Sequence, residues 1–590
     1  MIQNAIEIVF SGQAGDGSLT TGDLIAGVLK RMGREVYTYK DFPSRIRGGH
    51  TSYVIRATDA PNRGMADLLD AVVAFDLEAV QAHIDEMRPG GFVIFDNSSE
   101  TIPAELRRAD LNWYEVPLGR IAKDKFKAEI VRNTISLGVL GALIDMDPAV
   151  MHGEVEQLWQ RKGEKVVAMN LGAVAAGAAY VHEHFAAQPS GYTLTQGVDG
   201  DRLLMMGNDA IAYGALAAGC RFIAGYPITP ATDILEWLAK YLPRYGGVAV
   251  QAEDEIAAIH MTLGAAYSGV RAMTATSGPG QALMTEAIGL AGTLEIPVVI
   301  VECARAGPST GMPTKTEQSN LDHVIFSGHG EIPKVVLSPG TIEESFSLTV
   351  AAFNLAERYQ LPVFVLTEQA LCQSKATLPH IDFSKIAIDR GKIERNGRLA
   401  SGDYKRFAAA PDGVSPRAIP GTPGGMHLAA GSEHNEAGVV TENAQNRRRM
   451  MEKRMGKLDA MRDELPKGNV FGPADAPVAI VGFGANRGPI TEAQARLHDH
   501  GITTRFLQLV TLWPFPTAEV QAFLAGAREI FVVENNYGGQ LERHIRGTVG
   551  PLPSLHSVRK YDGRPFRPSE IFEPIARTAG RVVAKELIVR

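Results

Sequence analysis

Apolar residues in this chain come in short, almost continuous runs, at 5–10, 71–75, 91–95, 220–224, 248–250, 271–275, 296–301, 477–481, 503–509 and 529–533. Each run is of strand length, and several are followed by a glycine- or proline-bearing turn. Helical spacing takes over at about 19–32, 168–185, 208–219, 231–238 and 255–268. Strands without polar alternation, each succeeded by a helix, predict parallel sheets covered on both faces. The fold class read from this pattern is α/β, with three successive α/β domains.

The boundaries follow the breaks in the pattern. A first domain is expected over 1–187, a second over 200–378 and a third over 470–590, with Ala186-Ala187-Gln188-Pro189-Ser190-Gly191 as a linker. Between 379 and 469 periodicity fades, and Gly, Pro and Ser crowd 408–431. This stretch is expected to be an extended wrapping segment, with Arg447-Arg448-Arg449 on a solvated face.

The turns carry the candidate chemistry. In Gly225-Tyr226-Pro227-Ile228-Thr229-Pro230, two prolines stop any helix and hold Thr229 beyond a strand end, where open α/β sheets bind ligands. The first strand runs into Gly12-Gln13-Ala14-Gly15-Asp16-Gly17-Ser18, a turn able to aim backbone N–H groups at phosphate. Its spacing approaches a P-loop, but Ser18 and Leu19 stand where Lys and Ser/Thr belong. Arg45 and Arg47, before Gly48-Gly49, form a cationic loop that reads either as solvated or as anion-binding.

Length and charge narrow the class. A chain of 590 residues exceeds one core. Its net charge of −7, from 59 basic and 66 acidic residues, lacks the basic excess of a nucleic-acid binder. No apolar run is long enough for a transmembrane helix, and the first residues lack a signal-peptide pattern, so a cytoplasmic location is expected. Only Cys220, Cys303 and Cys372 are present, in apolar settings and without metal spacing, so the chain cannot supply the four thiolates of an iron–sulfur cluster. No metal ligand is expected. Gly15-Asp16-Gly17 also fails as a diphosphate–Mg²⁺ motif, which needs a following Asn; none occurs between Gly17 and Asn62.

Glu255 at a helix start, with His260, Met261 and Gly264 and then Thr276-Ser277-Gly278-Pro279-Gly280, resembles the pyrimidine-binding domain of thiamine diphosphate enzymes. The Tyr-Pro-Ile-Thr-Pro turn with Arg305-Ala306-Gly307-Pro308-Ser309-Thr310-Gly311-Met312-Pro313-Thr314 is similar to the α subunit of 2-oxoacid:ferredoxin oxidoreductases. The residues before 190 resemble the γ subunit of that family, and the last 120 or so resemble a transketolase C-terminal domain.

The resemblance implies a fused γ–α chain that oxidatively decarboxylates a 2-oxoacid to an acyl-CoA, with 2-oxoglutarate to succinyl-CoA the leading candidate and CO₂ fixation in reverse. It implies thiamine diphosphate shared with a β subunit that holds Mg²⁺ and the iron–sulfur cluster, coenzyme A as co-substrate, ferredoxin as acceptor and an (αβ)₂ heterotetramer. Glu255 would bond the aminopyrimidine, beside Tyr226, Pro227 and Ile228. Glu253 is the neighbouring competitor. Arg305, Thr229 and Thr314 would orient the oxoacid, unless Arg305 only braces its loop by pairing with Glu302 or Glu317. Gly15, Asp16, Gly17, Ser18, Arg45 and Arg47 would face coenzyme A. Pyruvate or a branched-chain oxoacid as substrate, a self-sufficient thiamine decarboxylase or transketolase, and a non-catalytic CoA-binding partner stay open as alternatives.

Overall fold

The computed structural model describes residues 5–44, 48–197, 201–394, 399 and 404–589, with only the backbone of 581–589. The chain forms two compact units. The first holds residues up to 205 with 374–380 and 567–569; the second holds 206–373, 381–566 and the residues from 570 on.

The first unit is built on an eight-stranded sheet, its strands in the order Asn112–Val116, Met87–Asp96, Leu69–Ala74, Ala5–Gln13, His50–Thr58, Glu35–Asp41, Lys375–Leu378 and Leu203–Met206. Ala5–Gln13 is central and buried along its whole interior, parallel to Leu69–Ala74 and antiparallel to His50–Thr58. The strand Lys375–Leu378 lies within the stretch read as the second domain, yet its Ala376 pairs with Tyr37 in this first sheet. Sequence pattern marks a strand but not the sheet it will join.

The second unit contains two sheets. The larger orders Thr511–Trp513, Val335–Leu337, Pro362–Glu368, Val298–Ala304, Ala272–Thr276, Phe222–Gly225 and Val248–Gln251. All its pairs are parallel except Thr511–Trp513 against Val335–Leu337. Val298–Ala304 and Pro362–Glu368 are buried at every residue, the result of helices on both faces. After Phe222–Gly225 the chain adds a strand on one side, then returns to add Ala272–Thr276 on the other. That reversal opens a crevice at the C-terminal strand ends. The smaller sheet orders Asn469–Phe471, Thr504–Leu509, Val478–Phe483, Glu529–Glu534 and Leu555–Arg559, parallel but for its first strand. The fold is thus three α/β layers in series.

The wrapping segment is not extended throughout. Ala444–Ala460 is a helix, capped by the Asn443 side chain on the Asn446 N–H. Its buried face carries Asn446, Met450, Lys453, Arg454, Lys457 and Leu458, so no apolar stripe announces it. Arg447, Arg448 and Arg449 are exposed. Among the described residues no helix is long and apolar enough to cross a membrane, and no group of three or more His, Cys, Asp or Glu is arranged to hold a metal. All three cysteines are free and buried.

Candidate active site

The crevice at the chain reversal gathers the turns singled out in the sequence. Gly225 ends its strand, and Tyr226 to Pro230 cross the strand end before the helix Thr232–Tyr241. The turn is held from two sides. Asn208, fully buried at the start of the helix Gly207–Ala217, donates from Nδ2 to the Pro230 carbonyl at 2.7 Å and to the Asp233 carboxylate at 3.0 Å. Arg305 donates from Nη1 to the Thr229 carbonyl at 2.8 Å. Tyr226 is exposed, while Pro227, Ile228 and Thr229 are half-buried.

Glu255 opens the helix Glu255–Tyr267 at the mouth of the same crevice. Asp254 is its N-cap, its carboxylate accepting from the Ala257 N–H at 2.6 Å. Asp254 therefore serves the helix and leaves Glu255 free of that duty. Glu253 is exposed, whereas Glu255 is buried. Among the described residues the Glu255 carboxylate has no hydrogen-bond or ion-pair partner within its unit, which is costly for a buried charge without a ligand. The turn after Ala272–Thr276 packs directly on it. A Cβ at Gly280 would lie 2.7 Å from Glu255 Oε1, so only glycine leaves room there.

Arg305 extends the strand Val298–Ala304 and is nearly buried. It makes no ion pair with Glu302 or Glu317 within 4.0 Å; what it braces is the Thr229 turn. Its Nε is buried without an acceptor, and the nearby carboxylates of Glu302 and Glu255 act on its charge from a distance. Thr314 is buried in the same loop. Glu302, Asn320 and Asn208 carried no motif. Glu302 is fully buried; Asn320 donates from Nδ2 to its Oε1 at 2.7 Å, and its Oε2 has no donor. Burial raises its carboxyl to about 7, against the pull of Asn320 and Arg305.

In the first unit, the glycine turn precedes the helix Ser18–Arg31. Asp16 Oδ1 accepts from the Ser18 N–H at 2.8 Å, and Arg132 stands 3.6 Å from its other oxygen. The Asp16 carbonyl accepts from Asn133 Nδ2 at 2.7 Å, which lies where a Gly17 side chain would be. Asp16 Oδ1 and the Ser18 N–H are thus occupied within the turn, Asp16 Oδ2 is buried without a hydrogen-bond partner, and Gln13 and Gly15 are the turn's exposed members. A cavity of about 240 Å³ opens beside Gly17, Thr20, Ile130, Asn133 and Lys162. Arg45 and Arg47 lie outside the described residues.

Three family models match the chain in series. Residues 7–180 match the pyruvate ferredoxin/flavodoxin oxidoreductase model, 213–453 the thiamine diphosphate-binding model of pyruvate flavodoxin/ferredoxin oxidoreductases, and 476–571 the pyruvate:ferredoxin oxidoreductase core domain II. An α subunit named 2-oxoacid:ferredoxin oxidoreductase 2 from Aeropyrum pernix is 34% identical, covering 97% of both chains. The chain belongs to the 2-oxoacid:ferredoxin oxidoreductase family. The 2-oxoglutarate synthase subunit KorA of Methanothermobacter thermautotrophicus is 37% identical over 64% of this chain and 99% of its own. The solved 2-oxoglutarate:ferredoxin oxidoreductase of Magnetococcus marinus, with 2-oxoglutarate, coenzyme A and succinyl-CoA bound, superposes with a TM-score of 0.91 at 36% identity, covering 98% of this chain and 99% of that one. The protein is therefore an oxidoreductase subunit with a thiamine diphosphate-binding domain, and the residues at its crevice suit that cofactor: an unpaired buried carboxylate facing a glycine cradle.

Proposed function

We propose that this chain is the fused γ–α chain of a 2-oxoglutarate:ferredoxin oxidoreductase. The observation that carries the reading is the pairing of Glu255 and Arg305 on one crevice, one carboxylate without a partner and one guanidinium with donors to spare. When bound, thiamine diphosphate supplies the nucleophilic carbon and the electron sink that decarboxylation of a 2-oxoacid requires. Glu255 would hold its aminopyrimidine ring and the proton at N1′, with Tyr226, Pro227 and Ile228 beside the ring. Arg305 binds the substrate carboxylate through its planar fork. Thr229 and Thr314 add hydroxyls without adding charge.

The glycine turn and the cavity beside Gly17 suit coenzyme A, with Gly15, Asp16, Gly17 and Ser18 shaping the turn, and Arg45 and Arg47 are assigned to the same ligand on the family resemblance. The β subunit contributes the diphosphate site, Mg²⁺ and the iron–sulfur cluster, within an (αβ)₂ assembly that delivers electrons to ferredoxin. The domains follow 1–187, 200–378 and 470–590, joined by the 379–469 segment. Relatives named for 2-oxoglutarate support that substrate over pyruvate.

The test is coenzyme A-dependent reduction of a viologen dye by the chain co-purified with its β partner, across 2-oxoglutarate, pyruvate and branched-chain oxoacids. Activity is expected on 2-oxoglutarate first. Glu255→Gln abolishes turnover, and Arg305→Ala lowers kcat/KM for the oxoacid roughly ten- to a hundredfold, the range set by one charged hydrogen-bonding group. Full activity in Glu255→Gln with a dead Glu253→Gln would overturn the assignment.

A further inference from the structure

Three ionisable groups are coupled at the C-terminal end of the strand Val298–Ala304: Glu302 within the strand, Arg305 just past it, and Glu255. Glu302 follows its strand partner Thr276 in register, and Asn320 ties it to the turn, since a Cβ at Gly278 would lie 2.7 Å from Asn320 Nδ2. The start of the helix Gly278–Thr293 is thus pinched between Asn320 on Gly278 and Glu255 on Gly280. On the Glu302 side two polar atoms are buried without partners, Glu302 Oε2 and Arg305 Nε. They lie three residues apart, and each group acts on the other's charge. The charge of one guanidinium is thus felt by, and feels, two buried carboxylates, neither of which it bonds. If both are ionised the three groups are net negative; if Glu302 is protonated they are neutral, and Arg305 is held only by the Thr229 carbonyl.

We propose that Glu302 is a positioning residue that controls access to Arg305: protonated, it leaves the guanidinium to the substrate carboxylate, and ionised, it competes for the same guanidinium. This rests on the reading of Arg305 as the oxoacid's anchor. Burial holds the Glu302 carboxyl near 7, so the switch falls within working pH. The other titratable groups around it are Cys303 on its own strand, lifted far above the working range by burial, and Glu368 at the end of the adjacent strand. Glu368 is also raised by burial to about 7, but it is committed elsewhere: it accepts from Gln318 Nε2 at 3.1 Å and the Ala485 N–H at 2.5 Å. Glu302 has only Asn320.

The experiment is the pH dependence of KM for 2-oxoglutarate in the complex with the β partner, from pH 6 to 8.5. The oxoacid stays fully ionised over this range, so its own titration contributes nothing. Wild-type KM should rise by roughly tenfold or more across the range, approaching tenfold per pH unit above the break. In Glu302→Gln, a permanently uncharged mimic, KM should stay flat at the wild-type low-pH value, while the KM for coenzyme A keeps its wild-type profile. Asn320→Ala, which removes the one donor supporting the ionised form, should move the break to higher pH. A Glu302→Gln complex with the wild-type KM profile overturns the inference. If that variant does not fold, an unmoved break in Asn320→Ala does so. Arg305→Ala separates the two readings: if its KM for the oxoacid is normal, Arg305 is not the anchor. If Arg305→Ala is impaired while the Glu302 and Asn320 variants titrate like wild type, only the present inference fails.

Discussion

Glu295 precedes the buried strand Val298–Ala304 and Glu302 lies towards its C-terminal end, and both side chains are completely buried. Their environments are opposite. At the N-terminal end, Glu295 accepts from Lys453 at 2.6 Å and from Lys457, with Arg406 close by. Burial would raise its carboxyl, but Lys457, Lys453 and Arg406 outweigh burial and hold it down at about 2. At the C-terminal end, Glu302 has one neutral amide and a distant guanidinium, and burial wins. The same residue type in the same sheet is a clamp at one end and an incompletely satisfied group at the other. Parallel α/β sheets place ligands at the C-terminal ends. At these two carboxylates, satisfaction is complete at the end where the sheet is only a scaffold and incomplete at the end where such sheets take a ligand.

The comparison can be broken most severely at Glu295. Glu295→Gln strands three cations in the interior and should cost about 3–5 kcal/mol, the usual penalty for removing one partner of a buried ion pair. Urea unfolding of the purified chain would register it; a loss below ~1 kcal/mol would mean the cluster is hydrated and the contrast false.

The pH dependence of stability sharpens the contrast at a smaller scale, about 1–3 kcal/mol per group. Glu295 has a depressed carboxyl, so the unfolded chain binds more protons between the ordinary value of 4.5 and about 2. Its contribution is complete above 4.5 and is lost as pH falls through about 2. Glu302 has a raised carboxyl, so the native chain binds more protons between 4.5 and about 7, and stability declines as pH rises through that window. Unfolding free energies at several pH values should show a shallower decline above 4.5 in Glu302→Gln and a smaller loss at acid pH in Glu295→Gln than in the wild type.

The smallest effect is expected at Arg447, on the exposed side of the helix Ala444–Ala460 and paired with Glu433. Arg447→Ala should change stability by no more than ~0.5 kcal/mol in the same urea assay, as a surface pair does. Glu433 keeps its bond to the buried Arg454.

Much of the fold was open to reading because its signals are local. Strand-length apolar runs, proline-stopped turns and helix-opening carboxylates each lie within about ten residues, and the Tyr226–Pro230 turn and Glu255 could be singled out on those grounds. Even the choice of Glu255 over Glu253 was a matter of helical offset, and burial separates the two in the same sense. The helix Ala444–Ala460 escaped because its inward face is cationic, and cationic faces ordinarily meet water. Asn208, Glu302 and Asn320 escaped because an amide or a carboxylate in a strand or loop has no characteristic spacing.

The sequence by itself determined the alternation of strand and helix, the turns that cannot be helical and the lack of thiolates for a cluster, since each depends on neighbours along the chain. Only the tertiary structure decided which carboxylates are silenced and which are left unfinished. Lys453 and Lys457 reach Glu295 across 158 and 162 residues, and Arg305 reaches the Thr229 turn across 76. Glu302 gains its character from 18 residues away, through Asn320, and from the interior that surrounds it. A buried charge is defined by what folding brings against it, because the low-dielectric interior makes each missing or added partner count for several times its worth in water.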